Sequence, residues 1–377
     1  MVHGQGVFVF QAGNDIASFS ILNDDDKTGL LVEFTTKGIS AHMLPSWEAL
    51  KDPYNNSGLV DDPNAFYWFS LDSQNQVLYA GTGEPRLETL EYSYIFPAVS
   101  HESNKNFLEG LTHIVMHKGA PTLTPVRILR DPITACIPLK VKDTAELTMD
   151  DIATANFMPK ANLSATSQKL YDCIAGPKFT LNTPDFPDFA DAIEYSINTP
   201  GQWCYETLLK KANEFNKDKP DIRETYLRIT LGQNNGESPG IPYVMEIWPA
   251  GHFSPIHSHA GAEAVIRVLE GGIHVMLFPY LSGKVDSFAS ADFVEGDVMW
   301  ISPTLNQTHQ LVNTSSETCI TIQCYMYDEA NERHYDYFDY IDSNGGIKQY
   351  EPDSDMEFVE FKELMRKEWK WSCCSRR

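Results

Sequence analysis

Between Gly251 and His259 the chain reads Gly-His-Phe-Ser-Pro-Ile-His-Ser-His, and this segment constrains the fold more than any other. His257 and His259 flank a single residue close to a β-patterned run. Side chains alternate across a strand, so these two imidazoles project to one face. A rigid strand can present such a pair to one metal ion. A third candidate, His309, lies downstream in Gly296-Asp-Val-Met-Trp-Ile-Ser-Pro303…His309-Gln-Leu-Val-Asn313. Imidazole suits iron, zinc, copper or nickel, so the set points to metal chemistry without naming the metal. The competing reading is three buried histidines satisfied by hydrogen bonds. His252 and His274 are poorer ligand candidates: His252 precedes the pair at an odd offset, and His274 falls on the next strand without motif support.

The two segments resemble the metal-binding strand motifs of cupin barrels. Many cupins add a glutamate ligand shortly after the second histidine, followed by six residues and a glycine. Counting back over six residues from Gly271 lands on Ala264, not Glu263. One residue of slip turns a side chain to the opposite face. The expected ligand set is therefore three neutral histidines with no carboxylate, barring a bulge that resets the register. Glu263 is then expected to be a solvated carboxylate.

This pattern resembles the thiol dioxygenases, and cysteine dioxygenase in particular. The family's metal pair matches His257 and His259, and its third ligand with an asparagine four residues on matches His309 and Asn313. Its Tyr-x-Arg substrate motif matches Tyr226-Leu-Arg228, and its active-site tyrosine falls on Tyr325. Tyr325 and Tyr327 share a strand face; the spacing from Asn313 favours Tyr325. Two departures stand out. The family often has histidine where this chain has Gln323, and mammalian members carry a tyrosine-linked cysteine where this chain has Ala264. The likeness covers roughly residues 165 to 345, less than half the chain.

Arg228 sits in the apolar run Tyr-Leu-Arg-Ile-Thr-Leu. A charge on a barrel strand needs a partner. It is either half of a structural ion pair, a surface residue, or a clamp for a substrate carboxylate, which guanidinium grips with two prongs. The resemblance favours the clamp, with Tyr226 supporting it from the same face. Arg267 is a rival whose strand neighbours place it outside. Tyr335, Tyr337, Phe338 and Tyr340 form an aromatic run expected at a barrel edge or core, and Asn313 would ordinarily be a turn residue.

A length of 377 residues suggests two domains rather than one. Residues 1–145 carry β-branched and aromatic runs near Phe66, Val77, Leu90 and His113, punctuated by Gly, Asn, Asp and Pro, which predict a β-sandwich of unknown role. The stretch 66–84 is similar to part of the β-domains of farnesoic-acid-methyltransferase-like proteins. His3, His42, His101, His113 and His117 are scattered there without a catalytic grouping; Ile114 and Val115 put His113 and His117 on a strand, too far apart to pair. Residues 146–169 are polar and are expected to form a linker, with a short helix after Thr148. Residues 170–377 are expected to form the cupin domain. Helical patterns open near Phe186 and Gly201, strands follow at 225–231, 243–248, 265–269, 274–278, 297–301 and 318–327, and a helix closes the chain near 355–369. The Asn-Asn-Gly segment from Asn234 predicts a turn between antiparallel strands.

The net charge of −23 disfavours nucleic acid and anionic membrane surfaces as partners. Seven cysteines without framework spacing fit reduced cytoplasmic thiols, and the Cys373–Cys374 pair reads as a frayed tail. Neither a leader-like start nor a membrane-spanning apolar run is evident. The expected fold is thus mostly β, with a C-terminal jelly-roll barrel flanked by helices. The resemblance implies Fe(2+), with L-cysteine and dioxygen as substrates and cysteine sulfinate as product. Another mercapto-acid, a different cupin oxygenase reaction, and a non-catalytic metal- or ligand-binding cupin stay open, as does the oligomeric state.

Overall fold

The strands form where alternating apolar residues can be buried on one face or both. A computed structural model describes the chain except residues 13–15, 53–55, 118–126, 213, 216, 218, 232–242, 328–336 and 376–377; for 371–375 it describes the backbone alone. The turn expected from Asn234, Tyr335, and the side chains of Cys373 and Cys374 lie outside the described residues. Two compact units divide at Ile137/Pro138.

In unit 1 the strands are β1 (Gln5–Gln11), β2 (Ala17–Leu22), β3 (Gly29–Thr35), β4 (Gly38–Leu44), β5 (Ala49–Leu50), β6 (Phe66–Asp72), β7 (Val77–Thr82), β8 (Leu90–Ile95), β9 (His113–Met116) and β10 (Arg127–Leu129), with helix α1 (His101–Glu109) before β9. They make two five-stranded sheets, ordered β10-β1-β6-β7-β8 and β5-β4-β3-β2-β9. Rings from both sheets meet between them: Phe10 lies 4.5 Å from Phe19 and 4.9 Å from Phe34, centroid to centroid. Aromatic side chains bury much area each, and this layer joins the two sheets into a sandwich. Arg86 is fully buried and is held by Glu84, Glu88 and the Ile137 carbonyl.

Unit 2 begins with β11 (Lys140–Lys142), α2 (Met149–Thr154), β12 (Phe157–Pro159), α3 (Ala165–Ile174), α4 (Phe189–Asn198) and α5 (Trp203–Lys211). The barrel strands follow: β13 (Leu227–Thr230), β14 (Tyr243–Trp248), β15 (His257–Ser258), β16 (Glu263–Glu270), β17 (Gly272–Leu277), β18 (Ala289–Val294), β19 (Val298–Ile301), β20 (Thr308–Val312), β21 (Cys319–Met326), β22 (Phe338–Ile341), β23 (Ile347–Tyr350) and β24 (Met356–Glu357), before helix α6 (Phe358–Ser375). One sheet is ordered β12-β11-β19-β16-β21-β14-β13-β24 and the other β18-β17-β20-β15-β22-β23. Their inner faces share a core that includes Trp248, Ile266, Val275, Leu277, Ile301 and Leu311. The result is a jelly-roll barrel in a mostly β chain.

The stretch 146–169, expected as a linker, is ordered and part of unit 2. Its polarity reflects capping and exposure rather than a missing partner. Thr148 and Asp151 close a capping box on α2, and β12 pairs in parallel with β11, itself paired to β19. Residues 140–142, expected within the first domain, thus belong to the barrel sheet.

The strand β17 alternates half-buried and buried positions, as a sheet with one wet face should. β21 is buried along almost its whole length, because α3 covers its outer face. The helices α4, α5 and α6 pack a second core, with Phe189, Ile193, Leu208, Phe361 and Met365, on the outer faces of β13, β14 and β21. Among the described residues no helix is long and apolar enough to cross a membrane.

Candidate metal centre

His257 and His309 are paired partners on the antiparallel strands β15 and β20. Cross-strand partners point to the same face, so their imidazoles meet. The ring centroids are 4.6 Å apart, and His259 lies 4.9 Å from His257 and 4.8 Å from His309. One ligand nitrogen from each of the three lies within 4.8 Å of those of the other two. Ala260 and Gly261, at φ 52° and 80°, turn the chain sharply after His259 so that β16 can start beside β21.

The hydrogen bonds assign the tautomers of two rings. A carbonyl oxygen can only accept, so His257 Nδ1 donates to the Pro255 carbonyl at 3.0 Å and His309 Nδ1 donates to the Asn306 carbonyl at 3.0 Å. The Nε2 lone pairs of both rings are left free to bind a metal. Asn306 occupies the left-handed region at φ 61°, which asparagine tolerates, and its amide donates to the Trp300 carbonyl. Burial lowers the basicity of all three rings: His257 falls to about 4 and His309 to about 3, and His259 drops well below the usual range, with the neighbouring rings adding to the effect.

The donor set fits a metal ion. The Nε2 atoms of His259 and His309 stand 3.2 Å apart. Imidazoles on one ion at ~2.1 Å each leave their nitrogens about 3 Å apart. Among the described residues, buried His259 Nδ1 has no hydrogen-bond partner. Glu263 contributes nothing to this cluster. It faces away as the register predicts, but it is not solvated: it is 3% exposed and accepts hydrogen bonds from Ser164 and Ser167 at the start of α3.

The cavity above the rings is small, about 10 Å³, and is lined by Tyr226, Arg228, Glu246, Trp248, Leu311, Gln323, Tyr325 and Phe338 as well as the three histidines. That is about the space of one water-sized group, so only a small ligand could enter without the walls moving. Tyr325 stacks 5.3 Å from His259, and the Phe338 ring lies 4.5 Å from His259. Burial drives the Tyr325 hydroxyl well above the usual phenol range. Tyr226 stacks on Trp248 at 4.1 Å.

Arg228 opens into this cavity but is not free there. It pairs with Glu246 across the β13–β14 ladder, Nη1 to Oε1 at 2.5 Å, and each side chain is 4% exposed. Burial pushes the Glu246 carboxyl up to about 7, against the pull of Arg228. The Gln323 amide donates to the other Glu246 oxygen, and the Tyr325 hydroxyl donates to Gln323 Oε1. A single polar chain thus runs from Arg228 through Glu246 and Gln323 to Tyr325, ending beside His259. Glu246 was not among the residues expected here. Its signal was present: a lone acid in the apolar strand Tyr-Val-Met-Glu-Ile-Trp, which burial would force to find a cation.

The remaining candidates lie elsewhere. Arg267 donates outward to the Ile174 and Gly176 carbonyls. His252 hydrogen-bonds Thr225, and His274 pairs with Asp292. Asn313 is fully buried and donates to the Trp248, Pro249 and Glu317 carbonyls, so it staples the segment leading into the histidine pair. Phe338, expected at an edge or core, lines the site.

No protein-family model matches the chain, and no curated protein matches it. Solved structures that resemble part of it include cupin-domain proteins. The cupin domain of Schizosaccharomyces pombe Cnp3 is 14% identical over 27% of this chain, with a TM-score of 0.23; the chain spans 65% of that domain's length. An uncharacterized Klebsiella pneumoniae protein with a double-stranded β-helix domain is 16% identical over 37% of this chain and 94% of its own, with a TM-score of 0.22. A cupin-superfamily sugar phosphate isomerase from Silicibacter pomeroyi is 14% identical over 34% of this chain and 90% of its own, with a TM-score of 0.21. At these scores the likenesses carry no functional argument, and the barrel stands on its own strand pairing.

Proposed function

We propose that the barrel is a metal-dependent thiol dioxygenase that uses dioxygen to oxidise a small thiol to its sulfinate. The observation that carries this reading is the three-histidine cluster, which has no carboxylate in it among the described residues, with the Tyr325 ring stacked against it. His257, His259 and His309 would hold Fe(2+). When bound, the iron would supply one-electron redox chemistry and open coordination positions for substrates.

The chain's own residues do the rest. The Pro255 and Asn306 carbonyls fix two imidazoles in the ligating tautomer. Burial keeps all three neutral, which leaves the metal its full charge. The rings of Tyr226, Trp248 and Phe338 line the cavity and narrow the room left for water. Tyr325, whose hydroxyl donates to Gln323, would offer that hydroxyl to a substrate in the cavity. The reaction balances as RS⁻ + O2 → RSO2⁻: both oxygen atoms end on sulfur, which is oxidised as dioxygen is reduced, with no other reductant. Sulfinate is the second rung of thiol oxidation.

The test is oxygen uptake by the iron-loaded protein with a panel of small thiols, with sulfinate identified by mass spectrometry. A protein that binds iron at the three histidines and consumes no oxygen with any thiol is a non-catalytic binder or a different oxygenase.

A further inference from the structure

The Arg228–Glu246 pair bears on what the cavity accepts. The two residues are opposed on adjacent strands, so they share a face, and backbone register rather than a chance rotamer brings them together. Glu246 is committed on both oxygens, to Arg228 and to Gln323, and Gln323 is committed in turn to Tyr325. Among the described residues the polar floor holds one cation and one anion, and their formal charges cancel. An incoming carboxylate would lie beside a buried carboxylate, or would have to evict it and leave it unpaired. Either outcome is costly in a desolvated site. The other walls, Tyr226, Trp248, Leu311 and Phe338, offer aromatic faces and a methyl surface suited to a short carbon chain.

Resting on the thiol dioxygenase reading, we infer that the substrate is a small thiol without a carboxylate, and that Glu246 is the specificity-determining residue that occupies Arg228 and rejects mercapto-acids. L-cysteine, the substrate implied by the family resemblance, is then disfavoured by its carboxylate, not by its size.

The experiment uses the purified full chain loaded with cobalt(II), where thiolate binding is read from the absorption spectrum without turnover. Two matched pairs are the probes: 2-aminoethanethiol against L-cysteine, and ethanethiol against 3-mercaptopropionate. The carboxylate-free member of each pair is expected to bind about 10-fold or more tightly, as like-charge juxtaposition requires. In Glu246→Gln, Arg228 loses its anionic partner, so the ratio within each pair is expected to shift toward the carboxylated member. Wild-type protein that binds L-cysteine and 3-mercaptopropionate as tightly as their counterparts overturns the inference, whether or not the variant folds. A folded Glu246→Gln protein with wild-type ratios overturns the role of Glu246. Oxygen uptake by the iron-loaded protein decides the oxygenase reading separately, because the cobalt ratios are measured without it.

Discussion

Ala264 lies directly opposite Tyr325 across the β16–β21 ladder, and both are buried. Cross-strand partners sit within side-chain reach, so a cysteine at 264 would meet the tyrosine ring. Alanine offers no sulfur. Cys324, the adjacent thiol, points to the other face, with its sulfur near the Leu170 carbonyl of α3. Tyr325 is expected to remain unmodified through turnover, and Ala264→Cys is expected to make a thioether possible. Peptide mass spectrometry of the Tyr325 peptide checks both. A cross-linked species in wild-type protein would mean that the register described here is not the working one.

Loss of His309 should empty the centre. It pairs with His257, is fully buried, and brings the ligand from the strand facing the histidine pair. His309→Ala is expected to weaken metal binding by more than ~100-fold, beyond what loss of an outer partner costs. Metal content after dialysis measures it. Retention of stoichiometric metal with normal sulfinate formation would exclude the three-histidine centre.

Breaking the buried ion pair should cost stability before it costs chemistry. Arg228→Ala leaves Glu246 buried and unpaired, and is expected to destabilise the barrel by ~3–5 kcal/mol. The paired change Arg228→Met with Glu246→Leu removes both charges and should restore most of that loss. Urea denaturation of the single and double variants gives the comparison. A double variant as unstable as Arg228→Ala would show that packing of the arginine stem, not the charge pair, matters.

Asn313 is expected to act on the site without touching a ligand. Its amide holds three carbonyls, two of them in the segment that leads to Gly251 and the histidine pair. Asn313→Ala leaves buried acceptors unsatisfied and should cost ~1–3 kcal/mol. Metal affinity should fall alongside it while the ligand set is unchanged. Thermal melts and metal titration report the two effects; an unaltered melt would remove the staple.

Local pattern carried the elements whose physics is local. The strand expected at 243–248 matches β14 residue for residue, and the short helix expected after Thr148 is α2, which Thr148 and Asp151 cap. The spacing of His257 and His259 placed both rings on one side, and the count from Gly271 turned Glu263 away from them. What lay beyond the sequence was pairing between distant segments. That Glu246 stands opposite Arg228 depends on the β13–β14 register, and that Gln323 bridges Glu246 to Tyr325 depends on β14 lying beside β21. Phe338 reaches His259 because β22 pairs with β15. Burial of Glu263 depends on α3 folding over β16, so a carboxylate that reads as solvated on its own strand is enclosed by a helix almost a hundred residues earlier. Periodicity states which face a side chain takes; only the closed barrel decides what waits on that face, because the free energy that selects a register is shared among residues far apart in the chain.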